Sequence, residues 1–153
     1  MQVTDVYELS TPSFKKALKS NGIKLLHNMK LFVRVAPDFK KNSTNIDYYH
    51  AIVYVPSTEK LFIFNLSEYG NRKPSLKTLM ECVKVVLNPP ASFKKSPVCF
   101  IGKKRVFVMI FNSISKKTMY EDIYNSLIVG KFEMPNKDVA TKFKEKTVVY
   151  GFD

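Results

Sequence analysis

One stretch of the chain, residues 72–117, is both strongly basic and strongly apolar, and this combination limits what the chain can fold into. The stretch holds eleven basic residues and one acidic residue, so it accounts for +10 of the formal net charge of +12. It also contains the apolar runs LKTLMECVKVV, PVCFI and RVFVMIF, which a disordered basic tail would lack. We therefore expect a folded core with a positively charged surface, and regional charge of this kind favours a polyanionic partner.

The clearest helix signal lies inside this stretch, after Ser75, a residue type that can cap a helix. Apolar side chains recur there at the spacing of one helical face, namely Leu76, Leu79, Met80, Val83, Val86 and Leu87. This spacing predicts an amphipathic helix over residues 76–87, which the pair Pro89-Pro90 ends. A shorter helix is predicted over residues 11–20, because Thr11-Pro12 suits a helix start and Asn21-Gly22 suits a left-handed stop.

Five segments have the apolar patterns of β-strands: residues 29–35, 47–55, 61–66, 97–101 and 105–111. The connectors 56–60 and 102–104 are of hairpin length, so the second strand is predicted to pair with the third and the fourth with the fifth. Apolar side chains fall on both faces of the second strand, and this predicts a strand in the interior of a sheet.

The remaining segments predict an arm or edge strand at residues 1–10, a polar and mobile loop at 36–45, a helix with a capping box at 118–130, a short helix at 136–144 and a closing strand at 147–150. Strands occur in hairpin runs and not in repeated βαβ units. We therefore expect a single α+β domain over residues 1–153, with a largely antiparallel sheet built from hairpins and two or three packed amphipathic helices.

The chain carries no recognisable motif for catalysis, for a cofactor or for a metal. Its five glycines fall at separate predicted breaks and form no phosphate-binding loop. His27 and His50 have no Cys or carboxylate at metal-ligand spacing, and His50 fits a structural role in a strand. Cys82 and Cys99 each lie in an apolar run, where a buried free thiol is common. We expect a protein that is not an enzyme and that uses no cofactor, metal or small-molecule substrate.

Lysine supplies most of the positive charge, with 22 lysines against three arginines. Lysine is a point charge that serves phosphate, whereas arginine reads base edges better, so the balance favours polyanion binding without sequence specificity. The predicted hairpin tip, residues 102–105, would hold three cations where a partner can reach them. The candidate polyanion-binding residues are Lys94, Lys95, Lys103, Lys104, Arg105, Arg72 and Lys73.

Three phenylalanines, Phe100, Phe107 and Phe111, flank this predicted tip. They could form a stacking platform for single-stranded nucleic acid with a basic rim. Alternating phenylalanines on a strand pack against a helix more often than they face solvent, so we expect these three in the core.

The predicted helix 76–87, the strands PVCFIG and RVFVMIF and the ending KFKEKTVVYGF together resemble the matrix proteins of negative-strand RNA viruses, most of all the rhabdovirus type. Two features of that family are missing here. Pro89-Pro90 is followed by Ala91-Ser92 and so makes no Pro-Pro-x-Tyr budding motif, and the first fourteen residues contain no lysine or arginine. The resemblance implies self-association into a homo-oligomer and contact with acidic membrane and with nucleocapsid.

Two functions therefore stay open at this point. One is a structural protein of the viral matrix kind, which self-assembles, lines an acidic membrane and condenses ribonucleoprotein. The other is a soluble protein that binds single-stranded RNA or DNA without sequence preference, in viral replication or silencing suppression. The start MQVTDVYELS lacks the apolar core of a signal peptide, and no run approaches the roughly 20 apolar residues of a membrane span. We expect no secretion and no transmembrane segment, and a location in the virion and host cytoplasm, with the nucleus as a further compartment.

Overall fold

Six strands form one sheet, with two α-helices, in the computed structural model, which describes residues 11–35, 48–115 and 148–151. In chain order the elements are α1 (Thr11–Ser20), β1 (Lys30–Val35), β2 (Tyr49–Val55), β3 (Lys60–Asn65), α2 (Leu76–Leu87), β4 (Val98–Ile101), β5 (Lys104–Phe111) and β6 (Val148–Gly151). Two short 3-10 helices, Ser67–Tyr69 and Ala91–Lys94, lie in the connections. The segments predicted at 1–10, 36–45, 118–130 and 136–144 lie outside the described residues.

The strand order across the sheet is β4-β5-β3-β2-β1-β6. Every neighbouring pair is antiparallel, and two of the pairs, β2–β3 and β4–β5, are the hairpins predicted from their short connectors. All seven residues of β2 are buried, as expected of an interior strand. The predicted α+β class with an antiparallel sheet is therefore confirmed, and the predicted strand limits differ from the observed ones by one or two residues.

The helix α2 begins and ends where its sequence pattern predicts. The Ser75 hydroxyl accepts a hydrogen bond from the backbone N–H of Thr78 at 3.2 Å, which satisfies one of the free N–H groups of the first turn. At the other end Asn88 stops the helix ahead of Pro89. The buried side chains of α2 are Leu79, Cys82, Val83 and Val86.

The two faces of the sheet bury different clusters. On the first face, side chains of α1 and α2 pack against alternate residues of β1 to β5 to form the main core. Phe14 and Leu18 of α1 are buried, and just after the helix the chain turns at Gly22, which has the left-handed φ of +69°. The second face buries a smaller cluster, namely Phe32, Ile52, Tyr54, Leu61 and Ile63. Met109 and Phe111 of β5 are half-buried against this smaller cluster.

Candidate polyanion-binding surface

The β4–β5 hairpin ends in a two-residue turn, Gly102-Lys103, and three consecutive cations lie at this tip: Lys103 in the turn, and Lys104 and Arg105 at the start of β5. Ile101 pairs with Lys104 and Phe100 pairs with Arg105, so only two residues connect the strands. Gly102 has φ +61° in the first central position of the turn, the conformation that a type II′ hairpin turn requires and that glycine adopts without strain. Lys103, Lys104 and Arg105 are all exposed at this tip. The predicted tip is therefore present, with Lys104 and Arg105 already in the strand.

The loop that follows β3 is tied to this tip by Tyr69. The Tyr69 hydroxyl donates a hydrogen bond to the backbone carbonyl of Ile101 at 2.5 Å. A side chain added at Gly102 would place its Cβ 3.4 Å from the same hydroxyl, so Tyr69 lies against the turn. Burial raises the pKa of Tyr69, with the Cys82 thiol and Glu81 adding to the effect, so the hydroxyl stays protonated and able to donate. This contact fixes the loop beside the hairpin.

Two further candidate residues, Arg72 and Lys73, follow Tyr69 in the same loop and are exposed. They line a cleft of about 240 Å³, together with Leu66, Tyr69, Pro74, Ser75 and Thr78. Five cations from two segments therefore lie at one end of the sheet. We call this group, consisting of Arg72, Lys73, Lys103, Lys104 and Arg105, the basic end. The exposed carboxylate in the connecting loop is Glu68, so the positive charge dominates here.

Lys94 and Lys95 do not join the basic end. Lys94 lines a different cleft, with Lys60, Ile110 and Asn112. Ile110 lies six residues along β5 from Lys104, which is about 20 Å at the usual rise of a strand. Lys94 and Lys95 are close to the tip in sequence but not in space, because the whole of β4 lies between the Ala91–Lys94 segment and the turn. The structure thus places five of the predicted residues at one end of the sheet, and it places Lys94 in a cleft elsewhere.

The prediction that the three phenylalanines pack in the core is wrong for two of them. The side chain of Phe100 is 70% exposed and that of Phe107 is 51% exposed. Phe111 is half-buried and packs against the second-face cluster, so the core prediction holds in part for it alone. The alternation of residues along a strand predicts the face on which each side chain lies, but it does not predict which part of that face other elements cover.

Three other predicted structural residues are buried. Cys82 and Cys99 are buried free cysteines, which confirms the prediction, and His50 is buried in β2. Desolvation raises the pKa of Cys82 well above its ordinary value, and nearby Cys99 and Glu81 raise it further. Burial raises the pKa of Cys99 to about 11. Both thiols are therefore protonated at neutral pH and are poor nucleophiles or metal ligands.

Within residues 11–35, 48–115 and 148–151, no group of three or more His, Cys, Asp or Glu side chains could hold a metal ion. The same described part of the chain contains no helix that is long and apolar enough to cross a membrane. Comparison of the chain with models of known families, with curated proteins and with solved structures gives no significant match. The resemblance to viral matrix proteins therefore stays a prediction from the residues quoted for it.

Proposed function

We propose that this protein binds nucleic acid without sequence specificity and that the basic end is its binding surface. The observation that carries the proposal is the Tyr69–Ile101 hydrogen bond, which holds the Arg72-Lys73 loop beside the hairpin tip. Charges that lie within a Debye length, about 8 Å at physiological salt, add their potentials with little screening. Exposed cations gathered at one end of the sheet attract a phosphate backbone more strongly than the same charges scattered over the surface.

The composition of the basic end bears on specificity. Three of its five cations are lysines, which meet phosphate as point charges and do not read base edges with a planar fork. We therefore expect affinities for unrelated oligonucleotides of one length to agree within about tenfold, or about 1.4 kcal/mol. Each cation that neutralises a phosphate also makes binding weaker as salt rises, through release of condensed counterions.

The geometry of the tip favours nucleic acid over an acidic membrane as the polyanion. A flat bilayer that approaches the hairpin end-on meets Gly102 and Lys103 first, and neither can insert an apolar side chain. The exposed rings of Phe100 and Phe107 lie instead on strands, along the side of the hairpin. Peripheral membrane binding gains strength from buried apolar area, which the apex of this turn does not offer.

The test is a charge reversal at the tip, Lys103→Glu with Lys104→Glu and Arg105→Glu. We expect affinity for an oligonucleotide, measured by fluorescence anisotropy at physiological salt, to fall more than tenfold. The slope of log affinity against log salt should flatten by about two to three units if each residue meets one phosphate. The fold should survive, because all three side chains are exposed, and thermal unfolding checks this.

The matched control is the same charge change at the other end of β5, Lys60→Glu with Lys94→Glu and Lys95→Glu. These three side chains are also exposed, and two of them line one cleft about 20 Å from the tip. Equal weakening by both triples would mean that total charge matters and the basic end is not a site. No weakening by either triple would overturn polyanion binding altogether.

The matrix-type function predicted from the resemblance makes a different demand in the same experiment. It requires the chain to self-associate and to sediment with acidic vesicles. It also requires that the charge reversal at the tip abolish this sedimentation. Tighter binding to vesicles than to oligonucleotides of equal charge, with the same salt dependence, would replace nucleic-acid binding by this alternative.

A further inference from the structure

Two exposed phenylalanines occupy diagonal positions on neighbouring strands of the second face, beside Arg105 of the basic end. In the β4–β5 pair, Phe100 lies opposite Arg105 and Phe107 lies opposite Val98. The neighbours Cys99, Ile101, Val106 and Val108 are buried in the main core on the opposite face. Alternation along a strand therefore puts Phe100, Arg105 and Phe107 on one face, with the two rings as diagonal neighbours.

We propose that Phe100 and Phe107 stack two bases of a single-stranded nucleic acid, while Arg105 contacts the phosphate backbone beside them. This inference rests on the proposed function, because the basic end supplies the backbone contacts that bring the strand to the rings. It names the substrate class: unpaired RNA or DNA in preference to duplex. Each stacked base is expected to strengthen binding about 5- to 150-fold, the range found when such rings are removed elsewhere.

The spacing of the rings selects for unpaired bases. Diagonal neighbours across an antiparallel pair lie about 7–8 Å apart. Consecutive bases of one strand in a duplex are only about 3.4 Å apart along the axis, with their faces covered by the adjacent bases. A duplex therefore offers no base face to either ring, whereas an unstacked strand can place one base on each.

The stacking platform, Phe100 with Phe107, lies on strands that the core already holds in place in the unbound protein. Four buried residues of the β4–β5 hairpin anchor it to the main core under α2, so neither strand has to be ordered on binding. On its other side the platform borders Asn65, which pairs with Phe107 across β3 and β5. A ring that is already held in place loses little conformational entropy when a base stacks on it. This preorganisation explains how two exposed phenylalanines could contribute to affinity.

The direct test uses a tryptophan reporter, because the chain contains no tryptophan of its own. Phe107→Trp is titrated with a single-stranded oligonucleotide, with the same oligonucleotide carrying abasic sites, and with a duplex of equal charge. Stacking should quench the indole emission with the first probe and leave it nearly unchanged with the other two. Equal quenching by the abasic strand would overturn the inference, because that probe offers phosphates without bases.

A second measurement removes the rings. The double variant Phe100→Ala with Phe107→Ala should weaken single-strand binding at least tenfold and duplex binding less than about twofold. Leu26→Ala is the control, since it removes another exposed apolar side chain, 46% exposed, that precedes β1 at the opposite end of the sheet. Phe100→Tyr with Phe107→Tyr should retain binding, because tyrosine keeps the ring face.

The outcomes separate this inference from the proposed function. If the tip charge reversal weakens binding and the alanine pair does not, nucleic-acid binding stands and base stacking is overturned. If the alanine pair lowers affinity for acidic vesicles but not for single strands, the rings insert into lipid and the inference is overturned. If the unaltered protein binds no oligonucleotide even at low salt, both proposals fail together.

Discussion

Large apolar side chains occur both in the middle of the second face and at the β4–β5 margin of that face, but they are buried in the first region and exposed in the second. In the middle, Phe32 on β1 and Ile63 on β3 are fully buried. At the margin, Phe100 and Phe107 occupy equivalent positions on the same face and are mostly exposed. An apolar residue type does not by itself distinguish the two regions, since phenylalanine is buried at position 32 and exposed at positions 100 and 107, although the margin also carries Arg105 on this face. An apolar strand position is therefore available for binding only where the fold leaves it uncovered.

The largest expected effect compares one phenylalanine from each region. Phe32→Ala should lower the free energy of unfolding by about 3–5 kcal/mol, because it removes a buried ring and leaves a cavity. Phe100→Ala should cost less than about 1 kcal/mol, the size of a cross-strand contact. Urea unfolding of both variants measures the difference. Equal losses would mean that Phe100 is part of the core and that the margin is not a free surface.

The elements that the sequence predicts well are those set by local chemistry. The capping serine, the apolar stripe of α2 and the proline pair all lie between residues 75 and 90, so each is read from neighbouring positions in the sequence. The turn at Gly102 is local in the same sense. In contrast, the Tyr69–Ile101 hydrogen bond joins residues that are 32 positions apart in the sequence, and no local pattern in the loop predicts it. The sequence alone therefore does not identify Tyr69 as the residue that holds the Arg72-Lys73 loop beside the tip.

The same distinction explains the errors on the candidate site. Lys94 and Lys95 are close to the tip in sequence, yet the chain has to travel along β4 before it reaches the turn. The exposure of Phe100 depends on which elements cover each part of a sheet face, and this is decided by the whole fold. Periodicity places a side chain on a face of a strand, but it carries no information about what lies above that face.

A smaller effect contrasts the two faces of α2. Leu79→Ala should destabilise the protein by about 2–4 kcal/mol, since Leu79 is fully buried in the main core. Lys77→Ala and Lys84→Ala should each change stability by less than about 0.5 kcal/mol, because both lysines are exposed. Lys84 does approach Glu81 at 3.6 Å, but an ion pair this exposed contributes little. An unchanged melting temperature for Leu79→Ala would mean that α2 is misplaced or that its apolar face serves an intermolecular contact.

The smallest effect is a difference in thiol reactivity between two adjacent residues of β4. Cys99 is buried on the helix-covered face, whereas position 100 is exposed on the other. Burial raises the pKa of Cys99 from 9.0 to about 11, so its thiolate fraction at pH 8 is about a hundredfold lower than that of an ordinary thiol. A more basic thiolate is also a better nucleophile, and in disulfide exchange this raises the rate of each Cys99 thiolate by about tenfold, which offsets part of the loss. Ionisation alone therefore slows Cys99 about tenfold, or about 1.4 kcal/mol in activation free energy, and restricted access slows it further.

We expect the variant Phe100→Cys to show one rapidly reacting thiol per chain with an aromatic disulfide reagent, and the unaltered protein to show none. The rate for the new thiol should level off above about pH 9, near its ordinary pKa. The rate for Cys99 should keep rising to about pH 11, because its thiolate forms only as the pH approaches the raised pKa. Unfolding in guanidinium should make all thiols react at one rate, which controls for intrinsic chemistry. A rapidly reacting Cys99 in the folded, unaltered protein would mean that β4 opens readily, and the preorganised platform inferred for Phe100 and Phe107 would then be untenable.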